Sequence, residues 1–543
     1  MGKSISHQNI YGYLEDAASS YPHETAIVSA KIDDFESKSF KQLRNEVILC
    51  SNYLRTKGLN KHDKVLLAVR PGYQLIVITF AIFQIGAIPV IIDPGMGISS
   101  FLKCVKNTRP KALIGVPLIH LLSKFFPKAF KSVEKKVVVR NHSLIRKIGR
   151  YPNSPAQKQT SEKNESLAAI VFTSGSTGPP KGVCYTHKMF NAQINHLKND
   201  FGFEHGEKDL STLPIFALFN PALGVTSVIP DMNPRKPANA NSGLLVKAMQ
   251  EFEINTAFAS PIIGKKTYDY CKSNNLSLPH VKRLLLAGAP TNPTLVKNLS
   301  QILPNGNVIL PYGATEALPL TSVNQFQIKK LKEDICNGKG SCLGKPLNGN
   351  IIKIMPITSS PFGFGDNCPV ELDNGTVGEI SVSGSVVSEK YFRMPGATVD
   401  SKFNDGKRNY HRMGDLGYID DNGFLRFLGR KAERVMTVNG PLETERCEPL
   451  INEIDGIYRS ALIGIGRGIN QKPCMVVELE DTKQNKNLIK NKILKLLNKK
   501  MPTFNFNLVV FEKKLPVDSR HNAKIHRLSL SKKWTRIIEK KQF

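Results

Sequence analysis

Short apolar runs, each closed by a turn residue, recur along the first four hundred residues, and this pattern limits the fold more than any other feature. The runs 64-KVLLAV-69, 112-ALIGV-116, 137-VVV-139, 168-AAIVF-172, 256-TAFA-259, 283-RLLLAG-288 and 307-NVILPYG-313 are too short for helices and read as buried strands. Helix-length segments lie between them, as at 40–57. Strand and helix in alternation predict an α/β fold of layered sheets flanked by helices. One run, 75-LIVITFAIFQIGAIPVII-92, has about the length of a membrane span, but Gln84, Gly86 and Pro89 interrupt it. It reads as a buried helix ending near Gly86, then a short strand into 93-DPG-95, so no transmembrane segment is expected.

After residue 345 the character changes. The stretches 378-GEISVSG-384 and 424-FLRFLG-429 read as strands of a smaller β-rich unit. Past 435 come a short helix at 447–454, a strand pair around 461-ALIGI-465 and 474-CMVVELE-480, and a lysine-rich amphipathic helix at 484–499. The expectation is a large N-terminal domain over 1–428, a hinge at 429-GRKAER-434 and a small, mobile C-terminal α+β domain over 435–543. The stretch 128–168 is basic and polar, with Pro152 and Pro155, and is expected to cross the surface.

The formal charge of +30 admits nucleic-acid binding, but the lysines are spread through the chain instead of forming an arm or one helix face. A lysine- and asparagine-rich background is the better account of it, and a basic surface also attracts anionic ligands or anionic lipid. No nucleic acid is expected; a peripheral membrane or partner-enzyme contact stays open. Nine scattered cysteines without a CxxC pair point to reduced thiols in a cytoplasmic protein and offer no metal-site spacing. The opening 1-MGKSISHQNI-10 has no apolar core, so no secretory signal is expected. Gly2 and Ser6 fit the loose myristoylation pattern, which chance also explains.

The stretch 172-FTSGSTGPPKGV-183 gives up side-chain packing for glycines and hydroxyls. Gly175 and Gly178 can adopt positive φ, and Thr173, Ser174, Ser176 and Thr177 add hydroxyl donors to the backbone N–H groups. With Lys181 as a charged partner, such a loop can wrap a polyphosphate. It is not the Walker pattern, because two prolines precede the lysine. A flexible linker is the plain alternative, weakened by the apolar strand before the loop and the strand-like 182-GVCYTH-187 after it.

The stretch 173-TSGSTGPPKG-182 resembles the phosphate loop of the acyl-adenylate-forming superfamily, and further family motifs follow in order. The resemblance implies that 287-AGAP-290, with Gly288, Ala289 and Pro290, forms a small-residue turn against adenine. It implies that 312-YGATE-316 sets Tyr312 and Gly313 at the adenine, Thr315 near the phosphate and Glu316 on Mg²⁺. From 412-RMGD-415 and 429-GRK-431 it implies Asp415 and Arg430 at the ribose, and from 522-NAKIHR-527 it implies Lys524 as a mobile catalytic lysine. Taken singly, Glu316 is a helix-start carboxylate, Asp415 a turn residue and Lys524 a surface lysine. In order across 173–527, the set implies a ligase that uses ATP and Mg²⁺ to make an acyl-adenylate. In that family the C-terminal domain swings between two poses and brings its lysine in for the first half-reaction.

Several positions depart from the common family pattern: Ala217 where a His is usual, Met413 for Thr, Ala432 at the hinge, and Asn522-Ala523 for the Gly before the lysine. Together with 216-FALFNPALGVTSVIPDM-232, 411-HRMGDLGY-418 and 516-PVDSRHNAKIHR-527, they resemble the olefin β-lactone synthetases. That resemblance implies adenylation of a long-chain 3-hydroxy acid, whose own hydroxyl then closes a β-lactone; orientation supplies much of the rate of an intramolecular attack. A long-chain fatty acid–CoA ligase is the alternative. Residues 216–230 read either as an alkyl-pocket wall or as a buried helix without ligand contact. His187 and His521 are candidate bases for the hydroxyl, but a structural or solvent-facing position is the better reading of each. The weak 464-GIGRGI-469 reads as a turn. With so little chain after Lys524, a fused carrier domain is not expected.

Overall fold

The apolar run at 75–92 folds as its interruptions dictate. In the computed structural model, helix Tyr73–Ile85 is buried from Ile76 to Ile85 and stops at Gly86, whose φ of 78° makes it a left-handed C-cap. Strand Ile88–Ile92 follows directly. The structure describes residues 7–30, 35–140, 144, 148–149, 165–173, 179–288, 290–363, 365–481, 483–518 and 524–541.

Ile88–Ile92 lies inside a six-stranded sheet whose order, edge to edge, is Lys135–Val138, Ala112–Gly115, Lys64–Ala68, Ile88–Ile92, Leu167–Thr173 and Lys181–Thr186. The first five are parallel, and the last returns antiparallel, pairing Thr173 with Lys181 and Phe172 with Gly182. Helices Ile98–Thr108 and Pro117–Phe125 send Phe101, Cys104, Val105 and Ile119 into one face of this sheet. Helix Tyr73–Ile85 fills the other face together with helices Tyr11–Ser20 and Phe40–Thr56.

A second, fourteen-stranded sheet contains six consecutive parallel strands: Thr25–Ala30, Thr226–Ile229, Lys208–Ser211, Thr256–Ala259, Arg283–Leu286 and Asn307–Ala314. It then turns antiparallel through Ala317–Asn324, Ser341–Pro346, Leu425–Arg430, Asn409–Ile419, Gly378–Ser383 and Ile351–Met355. The β-rich segment after 345 is therefore a continuation of the long sheet, joined to it by hydrogen bonds that only tertiary structure creates. The stretch from 128 is also less superficial than its polarity suggests. Phe130, Val137, Val139, Leu144 and Ile148 are buried, since charged residues alternate with apolar ones that face the core.

From Val435 onward the chain builds its own core around Val435, Leu442, Cys447, Leu462, Met475, Ile493 and Phe506. Strands Ile457–Ile465, Lys472–Leu479 and Leu508–Phe511 make a three-stranded sheet, with helices Thr444–Asn452, Lys486–Lys500 and Arg527–Lys541 around it. Residues 466–470 form the turn between the first two strands. The chain is thus mixed α/β, with large N-terminal and small C-terminal parts. Among the described residues, no helix is long and apolar enough to cross a membrane.

Candidate active site

Ligands of open α/β sheets bind beyond the carboxyl ends of the strands. Strand Leu167–Thr173 leads at that end into 174–178, and the chain returns as Lys181. Ser174, Gly175, Ser176, Thr177, Gly178 and Ala289 lie outside the described residues, as does His521. Lys181 Nζ sits 4.9 Å from the centre of the Tyr391 ring. Tyr391 arrives there because residues 390–392 run antiparallel beside the lysine strand. Val183 bridges Tyr391, Cys184 N donates to Lys390 O at 3.3 Å, and Phe392 N donates to Gly182 O at 2.7 Å.

The Tyr391 hydroxyl donates to Glu316 Oε1 at 2.7 Å. The backbone on either side of that carboxylate is fixed as well. Tyr185 Oη donates to Thr315 O at 2.6 Å, and Ser388 N donates to Glu316 O at 2.7 Å. Burial and the adjacent Glu316 charge push the Tyr391 phenol well above its ordinary pKa, so it stays a donor to the carboxylate. Lys402 Nζ lies 5.9 Å from the centre of the same ring, and donates to Ser388 O and, at 3.2 Å, to Ser388 Oγ. Its burial lowers its pKa to about 7, against a smaller upward pull from Glu316. His411 is buried nearby. Desolvation, then the Lys402 charge, holds it well below its usual value, and it contacts Ser401 O at 3.1 Å.

A second cluster gathers the ribose-side candidates. Asp415 and Arg430 face each other across paired strands, and Arg430 Nη1 donates to Asp415 Oδ1 at 2.6 Å. Tyr312 Oη donates to Asp415 Oδ2, also at 2.6 Å. Gly288, with a φ of 98°, makes the turn that leaves the end of strand Arg283–Leu286, which pairs in parallel with the Tyr312 strand. Pro290 follows as an exposed residue. Gly313 is required by packing, since a Cβ there would stand 2.5 Å from Ala317 O. Lys524, in the C-terminal part, feels the charges of the same cluster. Burial lowers its pKa first, and the neighbouring charges of Arg430, Glu433 and Asp415 act on it next.

The described candidates thus fall into two groups: Lys181, Thr315 and Glu316 on one side, and Tyr312, Asp415, Arg430 and Lys524 on the other. A model of the family described as AMP-binding enzyme matches residues 14–392. The chain belongs to the AMP-binding enzyme family. It is 37% identical over 484 residues to an olefin beta-lactone synthetase of Stenotrophomonas maltophilia, covering 87% of each chain. An olefin beta-lactone synthetase of Xanthomonas campestris is 35% identical over 490 residues, covering 88% of this chain and 87% of that one. Among solved structures, ATP-bound MatB from Rhodopseudomonas palustris superposes with a TM-score of 0.81 at 20% identity, covering 98% of this chain and 99% of that one. As a member of this family the protein is an ATP-dependent acyl-adenylating ligase, taking ATP and a carboxylic acid as substrates.

Tyr391, Tyr185 and Lys402 were not singled out by the motifs. Their roles depend on contacts between segments up to two hundred residues apart, and 391-YFRMP-395 carries no spacing that announces one. Other motif positions prove to be structural. Arg412, 5% exposed, binds Glu379 at 2.6 Å and the Thr358 carbonyl at 2.7 Å, and Lys431 shares Glu379 at 2.8 Å. Met413 packs in the core with Ile352, Ile380 and Leu425. His187 is buried edge-on against Phe83, with ring centres 6.2 Å apart. Residues 214–218 and 220–223 form short 3₁₀ turns and not an α-helix. Ala217 is fully buried there, beside an aromatic series running Tyr185, Phe190, Phe219, Phe216 and Phe258.

Proposed function

We propose that this enzyme adenylates a long-chain 3-hydroxy carboxylic acid and closes the acyl-adenylate to a β-lactone. The observation that carries the substrate choice is the likeness to two olefin beta-lactone synthetases, 37% and 35% identical over most of each chain. A 4-chlorobenzoate–CoA ligase from Arthrobacter is 23% identical. In the first step a carboxylate oxygen bonds to the α-phosphorus of ATP, the bond to the β-phosphate oxygen breaks, and pyrophosphate leaves. In the second, the 3-hydroxyl oxygen bonds to the acyl carbon, its proton passes to solvent, and AMP leaves with the oxygen it shared.

Residues 173–178 and Lys181 grip the triphosphate, with Lys181 offsetting repulsion between the two anions. Gly288, Ala289, Pro290, Tyr312 and Gly313 line the adenine, while Asp415 and Arg430 take the ribose hydroxyls. Thr315 lies beside the phosphate. Mg²⁺ fits a site of this kind: Glu316 offers one carboxylate held in place by Tyr391, and this ion is ordinarily held by one or two carboxylates together with nucleotide phosphates. Glu316, oriented by Tyr391, would hold it, and the ion would neutralise phosphate charge. Residues 1–428 act as the nucleotide domain, 429–434 as a hinge, and 435–543 as a lid whose Lys524 stabilises the adenylation transition state. The electrostatic influence of Asp415 and Arg430 on Lys524 supports an adenylating pose. The buried Ala217, flanked by Phe216 and Phe219, supports an apolar acyl pocket at 216–230.

The test is to incubate purified protein with ATP and a 3-hydroxy or a plain fatty acid, with and without coenzyme A, and identify products by mass spectrometry. A β-lactone formed without coenzyme A is expected. AMP release strictly dependent on coenzyme A, with a thioester product, would establish the ligase alternative.

A further inference from the structure

Helix Pro117–Phe125 has apolar residues on both faces. Ile119 packs into the six-stranded sheet, and Ser123 is buried beside it. The opposite face carries Leu118, 73% exposed, Leu121, 50%, and Phe125, 70%, at intervals of three and four residues; Phe126, 40% exposed, prolongs the row. At the start of helix Ile98–Thr108, which packs on the same side of that sheet, Ile98 is 61% exposed. A contiguous row of bare large side chains differs from the isolated exposed leucine that any surface tolerates.

The charge around the row indicates its partner. Between residues 94 and 140 there are ten Lys or Arg and one acid, Glu134. Lys124, inside the helix, and Lys128 and Lys131, just after it, are all exposed. Leucine and phenylalanine projecting from a lysine fringe match the two forces that seat a helix in a bilayer interface, namely apolar insertion and attraction to anionic headgroups. An acidic protein groove could use the lysines, but it leaves a two-turn row of apolar tips without the depth that acyl chains offer. No helix among the described residues spans a membrane, so the contact is peripheral. We propose that the face formed by Leu118, Leu121, Phe125 and Phe126 docks the enzyme on membranes that carry anionic lipid. The helix leaves the carboxyl end of strand Ala112–Gly115, the same end of the sheet at which Thr173 enters the phosphate loop.

Flotation of the full-length protein with vesicles tests this. Vesicles of phosphatidylcholine and phosphatidylglycerol at three to one should carry the protein, and pure phosphatidylcholine should carry far less. Added salt should reduce the bound fraction. Leu118→Ser with Phe125→Ser should weaken partitioning by about tenfold or more, and Lys124→Glu with Lys128→Glu should also weaken it. Both double variants should keep wild-type adenylation of a short, water-soluble acid, which reports an intact fold. Failure of the wild type to float, or undiminished flotation of Leu118→Ser/Phe125→Ser, would overturn the proposal. A lipid-free wild type that is a larger oligomer than that variant would also overturn it, because a second copy would then cover the face.

Discussion

Tyr391 and Glu316, seventy-five positions apart in the chain, meet through a 2.7 Å hydrogen bond, with Lys181 over the face of the same tyrosine ring. Removing only the hydroxyl keeps the ring under Lys181 and frees the carboxylate. Tyr391→Phe should therefore raise the Mg²⁺ concentration needed for half-maximal pyrophosphate release, with a loss of about tenfold to a hundredfold, as for other groups that orient a metal-binding side chain. Titrating Mg²⁺ at saturating ATP checks it.

On the proposed mechanism Lys524→Ala should lower adenylation by about a hundredfold or more while ATP still binds, because the lysine would act on the transition state and the nucleotide's other contacts would remain. Pyrophosphate release and equilibrium ATP binding, measured on the same preparation, separate the two effects. Normal turnover in this variant would remove the lysine from the mechanism.

Asp415 joins Tyr312 and Arg430 in one knot, 2.6 Å from each. Asp415→Asn keeps the shape and loses the charge. The KM for ATP should rise by about tenfold, and the melting temperature should fall, since the partly buried Arg430 then loses its nearest carboxylate and keeps only the weaker pull of Glu433.

Lys402 gives a signed pH effect. Its folded pKa is lowered to about 7 from an ordinary 10.5, so between those values the unfolded chain binds more protons. Its cost to stability is full below pH 7 and fades as pH rises toward 10. Facing it are Glu316 and Glu389, which favour its charge, and Lys181, which opposes it. In thermal melts, the stability of wild type relative to Lys402→Met should increase from pH 7 to pH 9. A flat difference would mean that Lys402 stays charged throughout.

Arg527 ties the last helix to Glu433 at 2.9 Å and Glu448 at 2.6 Å, all three largely buried. Arg527→Met leaves two buried carboxylates without their partner and should cost about 3–5 kcal/mol in denaturant unfolding.

Much of this was legible beforehand, and for physical reasons. Strand runs such as 112–115 and 256–259 are buried on both faces, so their composition announces them. Gly86 stops its helix because glycine takes positive φ at little cost. Lys181, Glu316, Asp415 and Arg430 stand in short local motifs, and the fold brings them into two adjoining groups. Less visible was anything set by long-range pairing. Tyr391 is recruited by an antiparallel bridge to Val183, and Arg412 looked like part of a nucleotide motif although Glu379 and backbone carbonyls occupy it. Residues 216–223 hold short turns where apolar composition allowed a helix, because Pro221 lacks the N–H that a continuous helix would need there.

The stitching of 390–392 to 182–184 has a consequence for how the protein is born. During synthesis the phosphate loop and its lysine emerge two hundred residues before the strand that completes their surroundings, and contacts so distant in sequence form late. A nascent chain halted before Tyr391 would hold a nearly finished six-stranded sheet and still lack the tyrosine that orients Glu316. On the proposed site, competence for nucleotide chemistry would come only once Asp415, Arg430 and Lys524 have emerged as well, after most of the N-terminal core is already in place.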